Sequence, residues 1–385
     1  MDVEDFDMGY HLRRVAVPSG ANGRWLFDYA AAMGEAAFDR DRPLWEFVVV
    51  EGLPDGQAAL VQKVHHALTD GIGGVQLMLG LLDRTSDGRD PSTRERSEGS
   101  PRPPLAAHPL KTSAPPRWGG LEWARSAITS PVTATVTTLR TASSLARLLS
   151  PGGSRLSPVL RGHSIGWHFD ALEVPVADLH RAGEAAQGTI NDAFVAAVAG
   201  GLHRYHLAFG VNVERLRLTL PISLRRSKDV AGSNRFTPVR FPLPISEEDP
   251  VARIRQIGKL CRRWRQEPAL PMTDAIAGAL NLLHPVVTTA VMASLLKGVD
   301  VVATNVPGVP FRCYLAGAEV LREYGFAPLT GAALNVALLS HAGTACIGVN
   351  TDRVAIPDPG LLMTCMQEGF GEICELAKTS RRRAS

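Results

Sequence analysis

The chain has 385 residues, 45% of them hydrophobic, and carries 41 Lys and Arg against 38 Asp and Glu, a formal net charge of +3. A length beyond the usual single core points to two subdomains, and that apolar fraction is enough to fill both. So mild a positive balance, with no aromatic-rich basic motif, argues against nucleic acid as a partner. Cys261, Cys313, Cys346, Cys365 and Cys374 are odd in number and form no Cys-x-x-Cys pair. They read as small core residues of a protein kept in a reducing compartment. The start, Met1-Asp2-Val3-Glu4-Asp5-Phe6-Asp7, is acidic where a secretory leader is basic then apolar, and the longest apolar stretches, 193–202 and 285–296, are too short to span a bilayer. The expected location is the cytoplasm, with any membrane contact peripheral.

In chain order, the first predicted strand is 58–64, an apolar-rich run behind the turn residues Pro54-Asp55-Gly56. It runs into His65-His66-Ala67-Leu68-Thr69-Asp70-Gly71. If extended geometry persists through the doublet, His65 and His66 point to opposite sides and only one faces a given substrate. Asp70 and Gly71 are expected to form a turn, followed by a helix ending near Asp83. A histidine at a strand-to-helix corner is a candidate general base, and a nearby carboxylate can fix its tautomer or pair with an arginine to hold the loop. Zinc fits poorly, since adjacent histidines on a strand diverge and no His-Glu-x-x-His is present. A dinucleotide fingerprint is also rejected, because Gln76 stands where the third glycine of Gly71-Ile72-Gly73-Gly74 would belong.

Residues 84–116 are rich in Pro, Ser, Arg and Gly and read as a flexible linker. The stretch 117–149 mixes Trp118, Trp123 and several Leu with Arg117, Arg125, Arg140 and Arg147, and Pro131 interrupts it. Such a segment can lie on an anionic membrane surface or pack on its own protein. A second regular region follows, with a strand over 164–172 and a helix from Pro175 to about Gln187, stopped by Gly188. The next helix is capped by Thr189 with Asp192 three residues on, which places Asn191 in its first turn. Further strands are expected over 215–224, 235–243 and 299–304, helices over 249–266 and 272–283, a hairpin turning at Ala342-Gly343, and a last helix over 358–378. The fold class is α/β with mixed sheets. The organisation expected is an N-terminal subdomain over 1–83 carrying the His motif, the linker over 84–116, a basic helical connector over 117–160 and a C-terminal subdomain over 161–385.

Several motifs in one order resemble the bacterial wax ester synthase/acyl-CoA:diacylglycerol acyltransferase family, within the chloramphenicol-acetyltransferase-like superfamily. They are Asp5-Phe6-Asp7 with His11-Leu12-Arg13-Arg14, Arg42-Pro43-Leu44-Trp45-Glu46, His65 to Gly71, Thr189 to Asp192, Pro221-Ile222-Ser223-Leu224-Arg225, Asn234-Arg235-Phe236 and Thr304-Asn305-Val306-Pro307-Gly308. The resemblance implies two similar subdomains facing each other across a channel. It further implies acyl-CoA as co-substrate without a resident cofactor or metal, and diacylglycerol or a long-chain alcohol as acceptor. It implies His66 as the base, His65 in support, Asp70 orienting the loop, Gly71 in its turn and Asn191 as a donor to the oxyanion; without it, Asn191 is only a polar first-turn residue. A peripheral position on the plasma membrane or on lipid droplets is part of the same expectation. Family members carry tens of residues before the Asp-Phe-Asp element, which here lies almost at Met1. A first strand and helix are therefore expected to be missing, through a late start codon or a genuinely shortened chain, leaving an unpaired sheet edge beside the site. A carrier-dependent or polyketide-type acyltransferase and a non-catalytic lipid-binding member are the alternatives.

Overall fold

The computed structural model describes residues 6–69, 71–87, 153–223, 236–267, 284, 288–289, 294 and 297–384. Most of the expected linker, the basic stretch 117–149 and the expected helix 272–283 lie outside the described residues.

The N-terminal part opens with a single turn, α1 (Met8–His11), capped by the Asp7 carboxylate, which accepts from the Gly9 N–H at 2.8 Å. It continues through β1 (Leu12–Ala16), α2 (Trp25–Glu35), β2 (Trp45–Glu51), β3 (Ala59–Val64) and α3 (Gly71–Leu79). The strands form a three-stranded sheet in the order β1-β2-β3, with β1 parallel and β3 antiparallel to β2. Along β2 every second side chain is buried, Glu46, Val48 and Val50 among them. α3 stops at Leu79, short of the expected Asp83, because Gly80 and Leu81 fold back onto the carbonyls of Leu77 and Met78. Asp83 instead exchanges both backbone hydrogen bonds with Tyr314 at 2.8 Å.

The C-terminal part is built on a mixed six-stranded sheet, β4-β11-β10-β7-β5-β6. Its strands are β4 (Trp167–Pro175), β5 (Arg215–Ser223), β6 (Phe236–Pro244), β7 (Val301–Val306), β10 (Leu334–His341) and β11 (Thr344–Asp352), and a small hairpin supplies β8 (Tyr314–Leu315) and β9 (Ala318–Glu319). β7 runs parallel to β5 and β10, while the other pairings are antiparallel. The prolines of β6, which donate no ladder hydrogen bond, sit on the sheet's edge strand, where they are tolerated. The β10–β11 turn is the predicted one, with Ala342 at φ +45° and Gly343 at +89°, the left-handed pair that a two-residue hairpin requires. β4 begins three residues later than expected because Ser164 is held by the buried Asp352 carboxylate through both its N–H and its hydroxyl, at 2.7 Å each. Residues 153–160, expected as the end of a helical connector, form an irregular strap. The Asp300 carboxylate takes the N–H groups of Leu156 and Ser157 at 3.1 Å, the donors a helix would have used internally.

Helices α4 (Val176–Ala185), α5 (Ile190–Ala208), α6 (Pro250–Arg265) and α7 (Pro359–Ala384) pack with this sheet in one core. α5 is buried almost all round and approaches α7 at backbone distance. A Cβ on Gly369 would stand 2.5 Å from the Ala197 carbonyl oxygen, so only glycine fits. All five cysteines are buried and unpaired, and burial raises their thiol pKa values, that of Cys261 to about 12. Among the described residues no helix is long and apolar enough to cross a membrane.

His206, on the last turns of α5, is fully buried, with its Nδ1 2.7 Å from the Leu202 carbonyl and its Nε2 2.7 Å from the Ser157 hydroxyl. A carbonyl demands a proton on Nδ1, so in the neutral ring Nε2 accepts from the hydroxyl. Burial lowers its pKa below the ordinary 6.5. Below pH 6.5 the unfolded chain therefore takes a proton that the folded one refuses, and stability falls as pH drops toward the depressed folded-state value. Denaturant titrations between pH 7 and pH 5 should show this loss, and His206→Gln should flatten its slope.

The two parts are joined by Arg24. Its guanidinium donates to the Asp170 carboxylate at 2.7 Å, the Phe169 carbonyl at 2.8 Å and the Nδ1 of His168 at 3.0 Å. The same three-residue stretch of β4 is thus gripped at three points by one side chain from the start of α2. Gly34, further along α2, leaves the space that the Trp167 ring occupies.

Candidate active site

The chain leaves β3 at Val64, and the His doublet lies beyond the strand, not on it. The Leu68 N–H donates to the His65 carbonyl at 2.9 Å, closing a turn over 65–68, and the His65 N–H donates to the Leu44 carbonyl at 2.9 Å. The alternation argument for opposite faces therefore does not apply. What separates the two rings is the turn. The His65 Nδ1 accepts from the Ala67 N–H at 3.1 Å, and its ring meets the Phe38 ring edge-on at 5.8 Å. That imidazole is committed to holding the corner. His66 sits at the turn with an exposed side chain. Asp70 lies outside the described residues.

Gly71 is not the turn residue expected; it is the first residue of α3. Its reason is a close approach: a Cβ there would stand 2.9 Å from Cγ2 of Val306, the last residue of β7. The start of the motif helix is thus pressed against the C-terminal sheet, while the chain just past its end is tied there by the Asp83–Tyr314 exchange. Arg84 adds a cation over the Phe311 ring at 4.4 Å. Gly71→Ala should lift the motif off β7, at a cost of about 1–3 kcal/mol for overpacking. Val306→Ala in the same chain should return most of that loss, measured by denaturant unfolding and by activity.

Asn191 stands in the first turn of α5 as predicted. The capping box is complete: the Thr189 N–H donates to the Asp192 carboxylate at 2.9 Å, and the Asp192 N–H donates to the Thr189 hydroxyl at 3.3 Å. This fixes the helix start and leaves Asn191 without a capping task. Its Nδ2 is buried and has no hydrogen-bond partner. A buried amide donor left unpaired is costly, so such a group calls for a ligand atom or an ordered water.

Gly71 and Asn191 come from different parts of the molecule, and the sheet topology directs the start of α5 toward the end of β7 on which Gly71 docks. The far end of α5 is anchored near the start of β7, because His206 bonds Ser157, whose N–H bonds Asp300, the residue just before that strand. From His206 back to Asn191 the helix rises about 22 Å, and from Asp300 to Val306 the strand rises about 20 Å. A helix that returns through 209–214 into β5, parallel to β7, runs opposite to both strands. Its first turn then points toward the Val306 end of the sheet. Among the described residues no group of three or more His, Cys, Asp or Glu could hold a metal ion.

Sequence reasoning named Val306 only as part of a motif, without its contact to Gly71, and missed Tyr314 and Arg24. The first two act through backbone or methyl contacts that leave no residue-type signature, and only the glycine opposite Val306 hinted at a tight approach.

A motif corner docked through Gly71 on a mixed sheet defines an α/β protein with mixed sheets. The fold is shared with the wax ester synthase/diacylglycerol acyltransferase from Marinobacter aquaeolei VT8. That match has a TM-score of 0.63 at 22% identity and covers 97% of this chain and 82% of that one. A more distant likeness is to the cyclization-docking bidomain of the EpoB nonribosomal peptide synthetase from Sorangium cellulosum. Its TM-score is 0.51 at 15% identity, with 95% of this chain and 70% of that one covered. The family models of the wax ester synthase/diacylglycerol acyltransferase catalytic domain and of the WS/DGAT C-terminal domain match residues 1–194 and 232–374. The chain belongs to the wax ester synthase/diacylglycerol acyltransferase family. A Mycobacterium tuberculosis protein that carries the name of a diacylglycerol O-acyltransferase is 37% identical over 386 residues, covering 97% of this chain and 78% of its own length.

Proposed function

We propose that this protein transfers a fatty acyl group from acyl-CoA to the free hydroxyl of diacylglycerol, or of a long-chain alcohol, with His66 as general base. The His66 imidazole takes the hydroxyl proton, and the oxygen attacks the thioester carbonyl carbon directly. Negative charge passes to the carbonyl oxygen, which accepts a hydrogen bond from Nδ2 of Asn191 with the positive end of α5 behind it. Collapse breaks the C–S bond, and the imidazolium returns its proton to the CoA thiolate. Neither a covalent acyl-enzyme nor a resident cofactor or metal enters this sequence. The acceptor is reached at a membrane or lipid-droplet surface.

The observation that supports this reading is the buried Asn191 Nδ2, which has no hydrogen-bond partner. The relative's name supplies diacylglycerol as acceptor. The test is thiol release from palmitoyl-CoA with dioleoylglycerol or hexadecanol, with lipid products resolved by chromatography. Asn191→Ala should lower kcat by about 10²–10³ with little change in KM. Release only from a carrier-bound thioester would transfer the protein to the carrier-dependent acyltransferases. Tight acyl-chain binding without thiol release would make it a lipid-binding member.

A further inference from the structure

His341, the last residue of β10, is 1% exposed. Its Nε2 lies 2.7 Å from the Val320 carbonyl, and because a carbonyl only accepts, the neutral ring carries its proton there and is left with a lone pair at Nδ1. That Nδ1 is buried and has no hydrogen-bond partner. Facing it at 4.0 Å is Oε2 of Glu323, which is also buried and also without a hydrogen-bond partner. Two buried acceptors aimed at one another are each costly, and one proton between them satisfies both. A turn of the Glu323 carboxyl about its broad terminal torsion closes the gap. Burial raises the pKa of that carboxyl, against the opposing pull of His341.

Among the described residues, the ionisable groups around this pair offer no substitute for the proton. The thiols of Cys313 and Cys346 are pushed up by burial and stay neutral, Glu319 lies 3.8 Å from Arg312, and Glu173 holds Arg322 at 2.6 Å. Each is uncharged or already matched.

The pair stands at the joint between the large sheet and the motif helix. The segment 308–320 is fastened to three consecutive residues at the end of β10. The Gly308 N–H donates to the Ser340 hydroxyl at 3.1 Å, the His341 ring donates to the Val320 carbonyl, and the Ala342 N–H donates to the Val309 carbonyl at 2.9 Å. Val320 in turn donates its N–H to the Cys313 carbonyl at 2.9 Å, and the next residue, Tyr314, makes the double exchange with Asp83 just beyond α3. A line of hydrogen bonds thus leads from the His341 ring to the chain leaving the motif helix.

We propose that Glu323 and His341 act together as positioning residues for the His66 corner, holding one proton between them and so locking the 308–320 segment on β10. The role in turnover rests on the acyl-transfer reading, whereas the shared proton does not. Unfolded, the two side chains bind two protons below about pH 4.3, one up to about 6.5 and none above. Folded, the pair keeps one across both steps. Its contribution to stability is therefore greatest between those values and falls as pH rises past about 6.5, with a slope of about one proton, until the folded pair releases its own.

The experiment is urea unfolding of the full chain from about pH 6 to 9, with kcat and KM for thiol release from palmitoyl-CoA at pH 7, for the wild type, Glu323→Gln and Glu323→Ala. An amide donates to Nδ1 without titrating, so Glu323→Gln should keep kcat within about twofold of wild type and lose the decline in stability above about pH 6.5. Glu323→Ala leaves Nδ1 unpaired and should lower kcat by about ten- to a hundredfold with KM little changed, the loss expected when a reacting group is displaced from afar. Superimposable pH profiles of stability for wild type and Glu323→Gln would overturn the shared proton. A Glu323→Ala protein with wild-type kcat, or a Glu323→Gln protein as slow as it, would overturn the positioning role. A wild-type chain that turns over no substrate would instead sink the acyl-transfer reading, and the unfolding profiles would still decide for or against the pair.

Discussion

Replacing His66 with alanine is expected to lower kcat for acyl transfer by about 10²–10⁴, the contribution of a positioned general base, while leaving the unfolding transition where it was. The side chain is exposed at its turn, so its removal opens no cavity in the core. The corner itself is held by the Leu68 and Ala67 N–H groups and by the bond from the His65 N–H to Leu44. This separates the two histidines experimentally. His65→Ala removes the ring that accepts from Ala67 and should loosen the loop, lowering stability and activity together. His66→Ala should lower activity alone. A folded His66→Ala protein releasing CoA at the wild-type rate would take this residue out of the mechanism, and equal stability losses for the two variants would remove the distinction between them.

The largest stability effect is expected from Glu372→Ala. Arg253 of α6 is 1% exposed, donates to the carbonyls of Ala196 and Glu247 at 3.0 and 2.8 Å, and is ion-paired with Glu372 of α7. The same carboxylate holds Arg204 of α5 at 2.5 Å. Burial beside a second guanidinium lowers the Arg253 pKa to about 10, which still leaves it charged at neutral pH. Removing Glu372 strands that charge between three helices, a change that costs about 3–5 kcal/mol. Because an apolar pair of similar volume does without the charge, Arg253→Met added to Glu372→Leu should recover much of the loss. Urea unfolding of the single and double variants measures both numbers. A Glu372→Ala chain within about 1 kcal/mol of wild type would mean that the guanidinium relaxes to water, contrary to its burial.

The parts of this fold legible in the sequence were those in which one local rule acted alone. The Thr189–Asp192 box and the Ala342-Gly343 turn are local chemistry, and each is found where the residues put it. In the six-stranded sheet, β7 announced itself as a continuous apolar run and β5 by the alternation of Leu216, Leu218 and Leu220 with Arg215, Arg217 and Thr219. β1 did not: Leu12-Arg13-Arg14-Val15-Ala16 is too polar to stand out, and it is a strand because β2 offers a parallel partner and Arg13 and Arg14 pair with Glu46 and Glu51. The strand over 164–172 was placed early because nothing in Ser164 betrays that a buried carboxylate 188 residues away will claim it. The same limit governed the site. The residue types of the motif pointed to acid–base chemistry, but the turn over 65–68 and the packing reason for Gly71 depend on partners distant in the chain. That Asn191 stands in the first turn of its helix could be read directly; that its amide would be buried and unpaired could not.

The Asp83–Tyr314 exchange, the contact of Gly71 with Val306 and the three-point hold of Arg24 on β4 together mean that the halves of this protein grip one another at both ends of the motif region and across the start of α2. Covalent continuity between residues 87 and 153 is then not what keeps the corner in register. A protease that severs the polypeptide there should yield two fragments that co-elute as one species, and the same two pieces, produced as separate polypeptides, should find each other.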